Sequence, residues 1–351
     1  MSNSVTKRIV SIDLMRAFAV VMMIQGHTVQ SLLDVSYQTS DSFVYHTWLF
    51  LRAFTAPLFI FVSGIVFTFL LFQNKFRIQN NPRILKGIKL GVSLILIGYL
   101  LRYPTIKIFN LSSVSYSQWI TFFTVDALHL IGIGLLLILF FAFLTSKIRV
   151  NPITTFSLLT IIVFLSSPFV NSIVWDSSTN IFTTSYITFQ FGSIFPLFPY
   201  LQFIFLGAVF GILIAEKSEL LSKNLYLLLT IISGILAIIF LYMTNTDYTS
   251  SLLRIGVILV LLSLFGFLSK SGIHLHRIVK SFAQNSLWLY IIHLVILYGS
   301  PVSIGLFQIV GKTLSAEVTI FITLLMLILM IIISLGIDKF RVRKFNALGK
   351  I

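Results

Sequence analysis

Ionisable residues set within long apolar runs are the first candidates for chemistry in this sequence. Arg16 and His27 stand eleven residues apart in the run that begins near Ile9. In a helix this is close to three turns, so they share a face to within roughly 20° and lie about 16 Å apart. That arrangement suits an extended molecule lying along the helix, with its anionic end at Arg16. Its reactive end would then meet His27, an imidazole that titrates near neutrality and can remove a proton. Equally, Arg16 beside Asp13 could snorkel to lipid phosphates, and His27 could be a hydrogen-bonded packing residue.

Further polar groups fall at the same depth. His46 and Arg52 flank the start of the second apolar run, Asp126 and His129 lie in the fourth, and Arg254 begins the eighth. Asp126 and His129 are one helical turn apart, and a carboxylate beside a His fixes its tautomer and raises its basicity. Such a pair is also an ordinary structural contact, but several ionisable groups at one depth in lipid point to a site. The chain has no Cys, which excludes a thiol nucleophile, a thiolate metal site and a disulfide. A covalent acyl intermediate would need Ser or His, and direct transfer is the simpler expectation. His274 and His276 sit in a basic segment without a carboxylate or third ligand, so no metal site is expected there.

The elements that must position these groups follow from composition. Of 351 residues 57% are hydrophobic and 10% charged, and the mean hydropathy is +1.01, more apolar surface than one soluble core can hold. The expected fold is all-α, a polytopic membrane helix bundle of about ten transmembrane helices forming a single domain over residues 1–351. The spans are expected near Ile9–Leu33, Trp48–Phe72, Ile84–Leu101, Trp119–Leu144, Pro152–Val170, Phe195–Ala215, Leu225–Met243, Leu252–Leu268, Leu287–Val302 and Val318–Ile337. The Ser- and Thr-rich stretch from Asn171 to Ile194 is expected to be the longest non-helical segment and part of an outer binding surface.

The net charge of +15 is not that of a nucleic-acid binder, because the basic residues form short clusters between apolar runs rather than a patch. These clusters are Lys7 and Arg8, Lys75 to Lys89, Lys147 and Arg149, Lys217 and Lys223, Lys270 to Lys280, and Lys339 to Lys350. They fall in every second interval between the expected spans, hence all on one side, which places both termini and all of these clusters in the cytoplasm. The other six basic residues are Arg102, Lys107 and Lys312 in outer loops and Arg16, Arg52 and Arg254 in or beside spans. The first run is read as a retained helix rather than a signal peptide, because Asp13 and Arg16 interrupt it and no small-residue cleavage site follows. Gly207 and Gly211 form a GxxxG pair expected to mark a close helix contact.

Two stretches resemble the acyltransferase 3 family of membrane O-acyltransferases. The opening SIDLMRAFAVVMMIQGH resembles that family's first-helix motif, with Arg16 and His27 at its Arg and His, and NSLWLYIIH resembles its C-terminal signature at Ser286, Tyr290 and His293. Three others resemble the catalytic domain of heparan-alpha-glucosaminide N-acetyltransferases, a related group of the transmembrane acyltransferase superfamily. These are HTWLFLRAFTAPLFIFVSG with His46, Pro57 and Gly64; VDALHLIGIGL with Asp126 and His129; and FPLFPYLQFIFLGAVFG with Pro196, Pro199, Gly207 and Gly211.

The resemblance implies transfer of an acyl group, acetyl in the first instance, from cytoplasmic acyl-CoA to a hydroxyl or amine of an extracytoplasmic glycan. It implies an integral protein of a bacterial inner (cytoplasmic) membrane, with acyl-CoA as donor substrate and no tightly bound cofactor. Arg83 and Lys86 are the candidates for holding the CoA phosphates and Arg16 for guiding the pantetheine arm. His27 is the first candidate for the base and His46 the second. Asp126 or Arg52 would orient the base or hold the acceptor, with Asp13, His129, Arg254, Tyr290 and His293 as further binding residues. A transporter or flippase of an anionic or lipid-linked sugar remains the alternative, with the same Arg and His residues forming a path.

Overall fold

The computed structural model describes residues 9–39, 42–73, 78, 81–103, 112, 114–175, 180–216, 224–243, 248–270 and 276–348. His274 and the basic residues Lys7, Arg8, Lys75, Arg77, Lys107, Lys217, Lys223 and Lys350 lie outside them.

The described chain is an all-α bundle. Its long helices are α1 (Val10–Leu32), α3 (Thr55–Phe72), α4 (Arg83–Leu101), α6 (Ala127–Ile148), α7 (Pro152–Ser172), α9 (Leu197–Glu216), α10 (Asn224–Met243), α11 (Thr249–Lys270), α12 (Arg277–Tyr298) and α14 (Ala316–Leu348). Short helices α2 (Phe43–Arg52), α5 (Tyr116–Phe123), α8 (Ile181–Ile187) and α13 (Leu306–Val310) lie between them. Among the described residues nine helices are long and apolar enough to cross a membrane, and the apolar stretch Leu227–Phe240 of α10 is shorter.

Several boundaries depart from the expected spans, each for a local reason. The second run is broken at Ala53 and Phe54, so that Arg52 ends a separate helix, α2. The fourth begins at Ala127 rather than Trp119. The Asp126 carboxylate accepts the Leu128 N–H at 2.9 Å and starts α6 there, a short polar side chain satisfying an orphan helix donor. Trp119 belongs instead to α5, which Ser115 and Gln118 cap reciprocally. The ninth run starts earlier than expected, at Arg277, because polar Ser281, Asn285 and Ser286 are buried in α12 against neighbouring helices rather than left in a loop. The segment from Asn171 to Ile194, expected to be non-helical, contains α8, whose N-cap Asn180 accepts the Phe182 N–H at 2.9 Å.

Packing follows small residues. On α3 and α9, a Cβ on Gly64 would meet the Ile204 carbonyl, and one on Gly207 would meet that of Phe61. A Cβ on Gly211 would meet the Thr68 hydroxyl, which itself donates to the Gly64 carbonyl at 2.7 Å. The GxxxG pair is therefore a backbone-to-backbone contact at the bundle centre. Gly91 and Gly132 let α4 and α6 approach in the same way. Around this centre α7 packs on α9, α10 on α11, and α12 on α1 and α14. The end of α1 is tied to the segment before α14 by the Asp34 N–H, donating to Leu314 O at 2.9 Å, and the Leu314 N–H, donating to Leu32 O at 3.0 Å.

Candidate active site

Helices α1 and α12 carry the two halves of the site. The Arg16 guanidinium donates to Ser286 Oγ at 2.8 Å, and His27 Nδ1 meets His293 Nε2 at 2.9 Å. Both numberings rise together, so the helices run parallel. Eleven residues on α1 face seven on α12, a difference of about 6 Å along the axis that the long Arg16 side chain takes up. The expected common face of Arg16 and His27 is thus the face turned toward α12.

The pairing settles the protonation pattern of the two imidazoles. His293 is fully buried, and its Nδ1 lies 2.8 Å from the Leu289 carbonyl, one turn back. A carbonyl only accepts, so His293 Nδ1 carries the proton and, in the neutral ring, its Nε2 is the acceptor. His27 Nδ1–H must then donate to it, which leaves the lone pair of His27 on Nε2. The rings lie nearly parallel, with centroids 5.2 Å apart. The Tyr290 ring packs beside His27 and His293 at 6.4 and 5.5 Å and stacks on Phe59 at 5.7 Å, so that the wall around the imidazoles is aromatic.

His27, Arg52 and Tyr290 line two adjoining lobes of one cavity. The smaller, about 290 Å³, also takes in Tyr200 and Arg254 and is otherwise largely apolar, with Met23, Pro57 and Phe59 among its walls. The larger, about 800 Å³, takes in Gln30, Arg102, Asp126 and Lys312. The helix residues of both lobes come from one end of the bundle, the end at which α1, α4 and α12 finish and α3, α6, α9 and α11 begin.

Two arginines project into the smaller lobe. Arg52 donates to Gln30 Oε1 and lies over the Trp48 ring, 5.4 Å from its centroid. Gly26 makes room for it, since a Cβ there would stand 3.3 Å from Arg52 Nε. Arg254 donates to the Tyr200 hydroxyl at 3.4 Å and lies 5.6 Å from that ring's centroid. Among the described residues neither forms an ion pair with a carboxylate.

Other expected site residues are placed differently. Asp126 faces the larger lobe, where it pairs with Arg102 at 3.5 Å. Its backbone N–H donates to His129 Nδ1 at 3.2 Å, and its carboxylate stands 4.0 Å from the same nitrogen, so the pair expected from the sequence is present. His129 is fully buried against Gly98 and the edge of Tyr99 and lines neither lobe. His46 is exposed on α2 and also lines neither. Arg83 and Lys86 open α4, half-buried and exposed respectively, at the end of the bundle away from His27. Asp13 is buried one turn before Arg16, and Arg16 lines neither lobe.

Sequence reasoning missed the partnership of His27 with His293, 266 residues apart, and the roles of Gln30, Tyr200 and Arg102 as partners of charged groups. Gln30, one turn after His27 on an apolar helix, was the most visible of these. Among the described residues no group of three or more His, Asp or Glu side chains is placed to hold a metal ion.

No curated protein and no solved structure matches the chain. A family profile described as the catalytic region of heparan-alpha-glucosaminide N-acetyltransferase matches residues 8–242, from the start of α1 into α10. With an all-α bundle of membrane-crossing length, a paired histidine on a cavity wall and a profile covering more than half of its residues, the chain belongs to this family of membrane acetyltransferases.

Proposed function

We propose that this protein transfers an acetyl group from cytoplasmic acetyl-CoA to a hydroxyl or amine of an extracytoplasmic glycan, with His27 as the general base. The observation that carries the reading is the hydrogen-bond relay from His27 Nδ1 through His293 to the Leu289 carbonyl. It leaves Nε2 as the basic nitrogen of His27, a residue that lines both lobes.

In the proposed reaction His27 Nε2 takes the proton of the acceptor O–H or N–H as that atom attacks the thioester carbonyl. A bond forms from acceptor to carbonyl carbon, the C–S bond breaks, and the thiolate of CoA leaves with the proton returned by His27. The relay fixes the tautomer and orientation of His27, because His293 Nε2 accepts from its Nδ1–H while the Leu289 carbonyl anchors the far end. Arg52 and Tyr290 line both lobes beside His27 and are the candidate donors to the oxyanion of the tetrahedral intermediate. With no Cys in the chain, direct transfer between two bound substrates is the economical route.

Sidedness rests on the basic clusters, which put the His27 end outside and Arg83 and Lys86 inside. α4 has 19 residues, a length of about 28 Å, so the phosphates of CoA would stay near the inner end while its pantetheine arm reaches toward His27 past Arg16. The expected site is that of an integral protein of a bacterial cytoplasmic membrane.

The test is calorimetric titration of acetyl-CoA into the purified full-length protein in nanodiscs, paired with transfer of labelled acetyl to envelope glycans in membranes. Saturable binding, with label incorporation that His27→Ala abolishes, is expected. Folded protein that binds no acetyl-CoA would overturn the reading and favour transport of an anionic sugar.

A further inference from the structure

The first turn of α3 meets the smaller lobe without a side-chain cap. Its N-cap, Phe54, has no side-chain oxygen to accept a helix N–H, and the first bond of the helix runs from the Leu58 N–H to Phe54 O at 3.0 Å. Of the three residues between, Pro57 has no N–H to give. That leaves the N–H groups of Thr55 and Ala56 without an acceptor among the described residues. All three residues line the smaller lobe together with His27. The Thr55 side chain adds a third donor, since Thr55 is 7% exposed and its hydroxyl has no hydrogen-bond partner among the described residues. Thr68, further along the same helix, turns its hydroxyl back to the Gly64 carbonyl at 2.7 Å. Thr55 stands first in α3 and has no preceding turn of its own helix to which it can return a proton in that way.

Three unpaired donors gathered at one helix start are costly unless something accepts from them, and the surroundings favour an acceptor that is negative. The peptide dipoles of an 18-residue helix place partial positive charge at its start. Arg52 and Arg254 line the same lobe, and among the described residues no Asp or Glu does. In acetyl transfer the atom that turns negative is the oxygen of the thioester carbonyl, as the acceptor adds to its carbon. That carbon must lie close to the base that deprotonates the acceptor, which puts the oxygen in the lobe of His27. Donors held in place by a helix end need not reorganise when the charge appears.

We propose that the start of α3 is part of the oxyanion site. The Thr55 hydroxyl and the N–H groups of Thr55 and Ala56 donate to the thioester oxygen while the acceptor adds to the carbonyl carbon, and the oxygen returns to a carbonyl as the C–S bond breaks. This rests on the acetyl-transfer reading for the reaction, but anion binding can be measured without turnover. The test is calorimetry on the full-length protein in nanodiscs with two unreactive thioethers of CoA: S-carboxymethyl-CoA, which carries an anionic oxygen near the acyl position, and neutral-tailed S-ethyl-CoA. Wild-type protein is expected to bind the carboxymethyl compound about tenfold more tightly, the worth of one charge-assisted contact. Thr55→Val should lose most of that preference and keep its affinity for S-ethyl-CoA. In turnover Thr55→Val should lower kcat by about 10²-fold, as expected for one oxyanion donor, with KM for acetyl-CoA little changed and Thr55→Ser keeping most of the rate. The melting temperature of Thr55→Val should stay level or rise, because the substitution removes a buried hydroxyl that has no partner. A hydroxyl with only a structural role would instead lower it. Thr55→Ala serves in its place if Thr55→Val does not fold. Equal wild-type affinity for the two thioethers, a preference that survives loss of the hydroxyl, or a rate loss that only follows a lowered melting temperature would overturn the assignment. Binding of neither thioether would remove CoA as the donor and the oxyanion site with it. A Thr55-dependent preference in a protein that transfers no acetyl would retain the anion site and lose the proposed reaction.

Discussion

His27, in the last turns of α1, and His129, in the first turn of α6, lie at the same end of the bundle, and the bundle treats them oppositely. On α1 and α12, His27 gives its Nδ1–H to another imidazole and keeps one ring edge on a cavity. On α4 and α6, His129 receives a backbone N–H at its Nδ1 and is closed in by Gly98 and Tyr99. His129 is the one with a carboxylate a turn away, which by sequence made it the better candidate for a fixed tautomer. The Asp126 carboxylate caps the helix start and pairs with Arg102 at 3.5 Å, and it stands only at 4.0 Å from His129 Nδ1. Both rings are bonded through Nδ1. The difference is that His27 lines the cavity while His129 Nε2 is buried without a hydrogen-bond partner among the described residues. Proximity in the chain therefore says less about an imidazole's role than what its other nitrogen can meet.

The largest effect that can break this contrast is at His27. Removing a general base costs roughly 10²–10⁴-fold, so His27→Ala should lower the acetylation rate by about 10³-fold while purified protein keeps its elution profile and melting temperature. Full activity in that variant would remove His27 from the mechanism. His293→Ala should cost about 10²-fold in kcat, within the range for outer partners of a catalytic group, with both KM values little changed. His293→Gln, whose side-chain oxygen can still accept from His27, should restore part of the rate and shift the acidic limb of the pH profile. A change confined to KM would mark His293 as a binding residue instead.

Arg16→Ala should weaken acetyl-CoA about tenfold, as expected for one charge-assisted contact, with little effect on acceptor affinity. An unchanged calorimetric titration would leave Arg16 only its structural bond to Ser286. Least is expected of the α4 and α6 pair in catalysis. A Cβ on Gly98 would stand 2.6 Å from the His129 ring, so Gly98→Ala should cost stability by about 1–3 kcal/mol through overpacking. It should show as a lower melting temperature with turnover per folded molecule within roughly twofold. Loss of turnover in a fully folded His129→Phe protein would erase the distinction between the two histidines.

Much of this was legible in the residues. Arg16 and His27 share a face because eleven residues nearly complete three turns, and the structure turns that face to α12. Gly207 and Gly211 announce a close contact because a missing Cβ at i and i+4 opens one stripe of a helix. The stretch with Ser286, Tyr290 and His293 stood out as a resemblance, and all three surround the first helix's motif. The interruption at Ala53 and Phe54 was hidden because the apolar run continues through it and both residues keep right-handed helical dihedrals. His46 resembled a site residue by its neighbours in the chain, yet α2 holds it on the exposed surface.

Composition and the periodicity of apolar residues were enough to determine a helical membrane bundle, because lipid demands that each span satisfy its own backbone hydrogen bonds. They also set which residues of one helix share a face. Tertiary structure alone decided that His293 reaches His27, that Asp126 pairs with Arg102, and that Arg52 and Arg254 meet in one cavity. Those contacts join helices distant in sequence, and the packing that brings them together leaves no periodic trace in either segment.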